Sequence, residues 1–133
     1  MSDTSPNLRL PYIQPAQAQK HVTHNESLDL LDVLVQTRVE ARNATVPPAA
    51  PDEGETYALG AAPTGAWSGK AFHLASFNNA GWLFAPLTDG VVVWDRSAPG
   101  LFVWSAGVWV ATLTDGASLA SFGVNTTADT TNR

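Results

Sequence analysis

The chain has 133 residues, a formal net charge of −5 and no cysteine. A chain of this length favours a single core with extensions, because small domains bury proportionally little surface. Its seven Lys and Arg residues are scattered, which argues against nucleic acid and anionic membranes as partners, since phosphate contacts need a concentrated basic patch. The absence of cysteine excludes disulfides and thiolate metal sites but leaves the redox compartment open.

The first 22 residues are polar and interrupted by proline, and they are predicted to form an extended docking arm. Pro15 suits the first position of a short helical turn through Lys20, which is either continuous with the next helix or bent near Thr23. This segment has neither the basic flank nor the apolar run of a signal peptide or membrane span. If the protein leaves its cell, we therefore expect it to do so by lysis or as part of a particle.

Residues 23–45 are predicted to form one long amphipathic helix. Thr23 and Glu26 have the spacing of a capping box, in which each side chain bonds to the backbone of the other residue. On a helical wheel, the polar side chains of this segment share one stripe, and an apolar arc covers about two thirds of the circumference. The polar stripe consists of Asp29, Asp32, Gln36, Glu40 and Asn43.

So wide an apolar arc exceeds what a helix on one small core needs. We therefore expect the helix to contact a second surface, either a copy of itself or a neighbouring protein. The alternative is a helix that is sunk deep in a single core. The expected oligomer interface consists of Leu28, Leu31, Leu34, Val35 and Val39.

The rest of the chain is predicted to be a Pro-rich linker over residues 46–54 and an antiparallel β domain over residues 55–116. Short runs of strand-forming residues alternate there with turns based on Gly or Asn, which is typical of a Trp-rich β-meander or barrel. The predicted strands are 55–59, 71–77, 81–87, 91–96, 101–104 and 108–113. The predicted fold class is thus α+β, and residues 117–133 are expected to be a tail or the start of a further region.

The later strands of this β domain have two apolar faces. Val92 and Trp94 point to one side, while Val91 and Val93 point to the other. One face forms a core, and the second needs a cover, which is the helix, a partner or a ligand such as a sugar that binds flat aromatic surfaces. The glycan-binding candidates are Trp67, Trp94 and Trp104, with Trp67 expected to be exposed in a loop; the alternative for each is packing in the core.

Residues that carry chemistry are few. His21 and His24 are three positions apart, but no third ligand follows at a fixed spacing, and a capping role already explains Glu26. His73 lies in an apolar strand, and turn chemistry explains Asp89. Because no nucleophile motif, phosphate loop or supported carboxylate pair is present, we predict no enzymatic activity, no cofactor and no metal site.

Two long runs resemble a known family. They are LPYIQPAQAQKHVTHNESLDLLDVLVQ, residues 10–36, and PPAAPDEGETYALGAAPTGAWSGKAFHLASFNNAGWLFAPLTDG, residues 47–90. They resemble an uncharacterised family of structural proteins from tailed phages and gene transfer agents, found among spike and fibre proteins and similar to gene transfer agent head spikes. The resemblance implies an oligomeric base of a head spike or fibre that anchors a host-adhesion appendage to a virion or phage-like particle.

The resemblance also implies attachment residues and partners. Attachment is assigned to Tyr12, Gln17, Gln19, Lys20, His21 and His24. The implied partners are copies of this chain and a capsid or other particle protein, with a fibre protein and host capsular polysaccharide as further candidates. The alternative function is a carbohydrate-binding module that recognises the host capsule.

Overall fold

The computed structural model describes residues 3–12 and 20–114, which contain one α-helix and seven strands in two sheets. The fold is mostly β, so the predicted combination of an extended arm, one long amphipathic helix and a single β-meander or barrel is wrong. The elements are α1 (Lys20–Leu34), β1 (Arg38–Val39), β2 (Thr56–Ala58), a 3-10 turn (Gly65–Trp67), β3 (His73–Asn78), β4 (Gly81–Pro86), β5 (Val92–Asp95), β6 (Gly100–Ser105) and β7 (Val108–Thr114).

The strands pair as a three-stranded sheet, β2-β3-β4, and a four-stranded sheet, β1-β5-β6-β7. All neighbours are antiparallel except β1 and β5, which are parallel. Six strands lie close to their predicted positions, but the chain passes from one sheet to the other between β4 and β5. β1 was not predicted, because it falls inside the segment read as helix.

The helix ends at Leu34, well short of residue 45. Thr37 Oγ1 donates a hydrogen bond to the carbonyl of Val33 at 2.7 Å, and Gln36 adopts a positive φ of 52°. These features satisfy a carbonyl at the end of the helix and turn the backbone away from helical geometry.

The sequence contains a strand signal just where the helix ends. β-branched side chains favour strands, and here they occupy every second position. Because helical and strand periodicities overlap in so short a segment, these β-branched residues also fitted the apolar arc of the predicted helix. They are Val33, Val35, Thr37 and Val39.

The start of the helix also differs from the prediction. Helical backbone is present from Lys20, so Thr23 lies inside α1 and not at its N-cap. The capping-box prediction for Thr23 and Glu26 is therefore wrong, since an N-cap residue stands outside the helix with non-helical backbone angles.

Residues 3–12 form a compact loop, termed the N-terminal loop, in place of an extended arm. Thr4 and Pro11 form an antiparallel bridge, and the backbone of Tyr12 donates a hydrogen bond to Asp3 at 2.9 Å. Arg9, near the tip, has a positive φ of 60°. The loop thus closes on itself, and the predicted extended arm is wrong for these residues.

The segment 37–44 joins the two sheets. On one side its backbone carbonyls accept hydrogen bonds from the backbone N–H groups of Trp94 and Arg96 at 2.9 Å each. On the other side its backbone bonds to Thr56 and Ala58 of β2. One continuous segment therefore fixes the spacing between the sheets.

Two apolar clusters fill the fold. The larger lies between the two sheets and consists of Val33, Val39, Ala58, Leu74, Ala85, Val93 and Phe102. The smaller lies on the opposite face of the three-stranded sheet and consists of Leu59, Trp67 and Ala75, with Ala44, Tyr57, Trp82 and Phe84 packed against it. The three-stranded sheet is consequently covered on both faces.

The predicted linker, residues 46–54, contains no helix or strand. At its end, Gly54 donates a backbone hydrogen bond to Phe77 of β3 at 2.7 Å. Gly54 has a φ of 92°, and an added Cβ would come within 2.8 Å of Asn7 Oδ1. Glycine is therefore required there both by the backbone angle and by the close approach of the N-terminal loop.

Candidate assembly surface

The N-terminal loop is held on α1 by Asp32. This carboxylate is only 4% exposed, and it accepts hydrogen bonds from Ser5 Oγ at 2.5 Å, the Asn7 N–H at 2.9 Å and the Leu8 N–H at 2.5 Å. A buried carboxylate needs such donors to offset its lost hydration. The polar stripe of the predicted helix therefore meets the chain's own N-terminal loop.

Tyr12 makes a second contact between this loop and α1. Its hydroxyl donates a hydrogen bond to Asp29 Oδ1. Burial, and then the hydrogen bond to this carboxylate, raise the pKa of Tyr12 above its ordinary value. Of the other predicted attachment residues, His24 is exposed, Gln17 and Gln19 lie outside the described residues, and Lys20 and His21 are described by their helical backbone alone.

Apolar side chains near the end of α1 are exposed. Leu31, Leu34 and Val35 retain 47%, 44% and 43% of their accessible surface. Leu28 is half-buried. Val39 is fully buried between the sheets, so its predicted place in an oligomer interface is wrong; it belongs to β1 and points into the core.

The four-stranded sheet has a second apolar face, as predicted from the alternation of its residues. Exposed Val92 and Trp94 alternate on β5 with buried Val93 and Asp95. The strand pairing places further apolar side chains beside them on β6 and β7. This surface is termed the outer face and consists of Val92, Trp94, Leu101, Val103, Val108 and Val110.

Val108 and Val110, which are 58% and 45% exposed, were not among the predicted interface residues. The signal for them was present in the sequence, because they alternate with Trp109 along one strand.

An open groove connects the outer face to the end of α1. Its volume is about 710 Å³, and its lining includes Leu34, Val92 and Trp94, with Gln36 and Arg38 among its polar groups. Leu31 and Val35 flank Leu34 on the exposed side of the helix end. The outer face, Leu34 in the groove and its exposed neighbours Leu31 and Val35 are together termed the assembly surface.

The three tryptophans predicted to bind glycans do not form one platform. Trp67, expected to be exposed, is fully buried, with its ring centroid 5.2 Å from those of both Tyr57 and Trp82. The 3-10 turn folds its loop back over the three-stranded sheet, which explains the difference. Trp104 is 6% exposed and packs on Trp109. Trp94 is 36% exposed and lies on the outer face.

A buried ion pair fixes the segment 37–44 to β5. Arg42 Nε donates a hydrogen bond to Asp95 Oδ2, and the Arg42 guanidinium carbon lies 3.4 Å from the centroid of the Phe102 ring. Burial by itself raises the pKa of Asp95, but hydrogen bonds from Arg42, Ser97 and Ala98 outweigh this effect and lower the pKa below its ordinary value. The only sequence signal for this ion pair was the position of Asp95, which alternation places on the inward side of a predicted strand.

Within the described parts of the chain, no group of three or more His, Asp or Glu residues is placed to hold a metal ion. His73 Nδ1 lies 2.8 Å from the carbonyl oxygen of Ala71. The helix that the structure describes is neither long nor apolar enough to cross a membrane. What the assembly surface offers chemically is contact with another apolar surface.

Comparison with known proteins adds one family. A family model described as "Protein of unknown function (DUF2793)" matches residues 24–110. The match covers well over half of the chain and extends from within α1 into β7. Neither a curated protein nor a solved structure matches the chain.

Proposed function

The chain belongs to the DUF2793 family of proteins of unknown function, and from this premise we propose that it is a structural component of a phage-like particle. It serves as the base of a gene transfer agent head spike or fibre and anchors a host-adhesion appendage to the particle. It assembles with copies of itself and with a capsid or other particle protein, and it has no enzymatic role. It is made in the bacterial cytoplasm and released with the particle by lysis.

The observation that carries this proposal is the assembly surface. Contiguous exposed apolar surface on a soluble domain marks a site of interaction with other proteins, ligands or membranes. Here it extends over three strands and the end of a helix, with exposed Trp94 and Val110 among its members. A subunit of a symmetric particle buries such a surface permanently against its neighbours.

The choice of a phage-like particle over other assemblies depends on the family resemblance of residues 10–36 and 47–90. The fold adds a detail to the attachment role. Tyr12 is bound to Asp29 of its own helix, so it positions the N-terminal loop, while exposed His24 on α1 is available to the particle shell. Attachment thus takes place at the helix and loop, apart from the outer face.

The proposal is tested on purified particles from a strain that encodes this chain. We expect mass spectrometry of density-purified particles to detect the protein at a fixed ratio to the capsid protein. Deletion of its gene should remove an external appendage in electron micrographs and reduce adsorption to host cells several-fold. Particles that never contain the protein, while they retain appendages and normal adsorption, would contradict it.

Recognition of host capsular polysaccharide is a second candidate function, supported by the position of Trp94. Its ring is partly exposed beside the groove that Gln36 and Arg38 also line, and an aromatic face with nearby hydrogen-bonding groups suits a sugar ring. We expect capsular polysaccharide to quench tryptophan fluorescence in the wild type and not in Trp94→Ala. Val108→Ala, at the far side of the outer face, is the matched control and should retain the response.

A further inference from the structure

We propose that the outer face binds a second copy of this chain, so that two four-stranded sheets stack face to face across a two-fold axis. The inference rests on the proposed function, which requires an assembling subunit, and it specifies the partner and the geometry. Leu34, which lines the groove beside the face, and its exposed neighbours Leu31 and Val35 extend the contact at one end of the face.

The described parts of the chain offer no element of their own to cover the outer face. The helix directs Val33 into the core between the sheets, and its polar side holds the N-terminal loop through Asp32. The 3-10 turn with Trp67 covers the other sheet. The helix, the N-terminal loop and the 3-10 turn therefore all pack against other parts of the fold and leave the outer face uncovered.

Charge favours a second copy over a charged partner. The outer face consists of six apolar side chains, and the strand pairing places Arg38 beside Trp94 at its margin. A two-fold contact places each patch against itself, so any charged group near the axis would meet a like charge. Because each chain carries a net charge of −5, a neutral face is where two copies can approach with least repulsion.

The area is consistent with the centre of a dimer interface. Three strands at about 4.8 Å spacing and six residues at about 3.3 Å rise give a flat footprint of roughly 300 Å². The helix end adds about 100 Å² more, from a cylinder about 10 Å wide over one to two turns of 5.4 Å pitch. A standard interface buries about 800 Å² per partner, with an apolar centre and a polar rim. Exposed Gln36, Arg38, Ser105 and Thr112 supply rim residues.

The geometry identifies the centre of the contact. β6 lies between β5 and β7 in the sheet, and Val103 of β6 is paired with Val92 on one side and Val110 on the other. Stacked sheets lie about 10 Å apart. Val103 of one copy should therefore lie close to Val103 of the other when the two-fold axis passes through the middle of the face.

The first test measures the mass of the full chain by sedimentation velocity over a wide concentration range. We expect a concentration-dependent dimer for the wild type. Val92→Glu and Val110→Glu should each raise the dissociation constant at least tenfold, because each places like charges in a desolvated contact. Val46→Glu is the matched control: Val46 is 72% exposed and lies in the Pro-rich segment, so its dimer should be unchanged.

The second test uses the absence of cysteine from the chain. In Val103→Cys the single introduced thiol should be cross-linked to a second copy by a bismaleimide that spans about 10 Å, while the thiol of Val46→Cys should not be. Circular dichroism confirms that all variants are folded. Dilution below the dissociation constant should restore rapid labelling of the Val103→Cys thiol by a monofunctional maleimide.

A wild type that stays monomeric at all concentrations, or a dimer unaffected by both glutamate substitutions, would overturn the inference. So would slow labelling of the Val103→Cys variant at every dilution, because the chain itself would then cover the face. Failure of the proposed function gives a different result. The chain would dimerise through this face and yet be absent from every purified particle.

Discussion

The three-stranded and four-stranded sheets both have two apolar faces, but the described chain covers both faces only in the three-stranded sheet. There, the connection between β2 and β3, residues 59–72, folds back and inserts Trp67 against Tyr57 and Trp82. In the four-stranded sheet, β5 and β6 are joined by the short turn 96–99, which cannot reach across a face. Among the residues that the structure describes, the length of one connection thus distinguishes the sheet with two covered faces from the sheet with an exposed apolar face.

An internal similarity sharpens this comparison. AGWLFAPLTDG, residues 80–90, and AGVWVATLTDG, residues 106–116, contribute the last strand of each sheet. β4 begins at a glycine of positive φ, 109° at Gly81, and β7 begins directly after one, 83° at Gly107. Trp82 packs under the covering loop, whereas the aligned Val108 is 58% exposed. The two similar strands therefore differ in exposure because the loop that carries Trp67 covers only the first of them.

Removal of the Trp67 side chain, which covers one face of the three-stranded sheet, should have the largest effect on stability. Trp67→Ala deletes a fully buried indole, and we expect it to lower the free energy of unfolding by about 3–5 kcal/mol, as large-to-small core substitutions do. Urea titration measures the change. Trp67→Phe should cost less, because it keeps an aromatic ring and removes an indole Nε1–H that has no hydrogen-bond partner among the described residues.

Trp94→Ala is the matched change on the uncovered face. At concentrations where the chain is monomeric, we expect a loss of about 1 kcal/mol or less, since partly exposed side chains contribute little to stability. Equal losses at Trp67 and Trp94 would show that the two faces do not differ in the way the structure indicates.

The junction between the sheets should be the next most sensitive position. Arg42→Ala leaves Asp95, 1% exposed, without its charged partner. We expect a loss of about 3 kcal/mol, at the lower end for a broken buried pair because Arg42 retains some exposure. The double variant Arg42→Ala with Asp95→Ala should lose less than the sum of the two single variants, because the partners are coupled.

The pH dependence tests the same pair. Because the pKa of Asp95 is lowered in the folded state, its contribution to stability is full above its unfolded pKa of about 3.9. That contribution is lost as pH falls through the lower folded value. We expect the wild type to lose more stability than Arg42→Ala as the pH falls below about 4, and parallel acid profiles would contradict this role.

The sequence predicted the strands well because alternation and glycine turns are local signals. The two apolar faces of β5 to β7 could also be predicted, since Val92, Val93 and Trp94 alternate within one strand. Which face is covered could not be predicted, because the cover of the three-stranded sheet is the long connection that carries Trp67. A loop with Gly65 and a lone Trp indicates exposure unless the fold returns it to the sheet.

The predicted length of the helix was wrong for a related reason. The helical periodicity indicated a continuous apolar arc through Val35 and Val39, although β1 begins at Arg38. Parallel pairing of β1 with β5 depends on residues more than 50 positions away, at Trp94 and Asp95, and no local pattern contains it. Burial of Asp32 likewise depends on the N-terminal loop, which the sequence presented as an extended arm.

The contact between the N-terminal loop and α1 should be moderately sensitive. Asp32→Ala removes the acceptor for Ser5, Asn7 and Leu8, and we expect a loss of about 2 kcal/mol, in the range for hydrogen bonds to a charged group. Amide hydrogen exchange should accelerate at Asn7 and Leu8. Glu26→Ala, at an exposed position of the same helix, is the control and should leave these amides protected. Protection unchanged in Asp32→Ala would show that other contacts hold the loop.

Tyr57 offers a small effect and probes the covered face itself. Its hydroxyl donates a hydrogen bond to Glu55 at 2.9 Å, and its ring packs on Trp67. Tyr57→Phe keeps the ring and should cost about 1 kcal/mol at neutral pH, the usual net value of one hydrogen bond. Burial, and then the bond to Glu55, raise the pKa of Tyr57 to about 12. The stabilisation is thus full below the unfolded pKa of about 10 and is lost as pH rises toward 12. The stability difference between wild type and Tyr57→Phe should therefore shrink over that interval, and a constant difference in thermal unfolding would exclude this role for the hydroxyl.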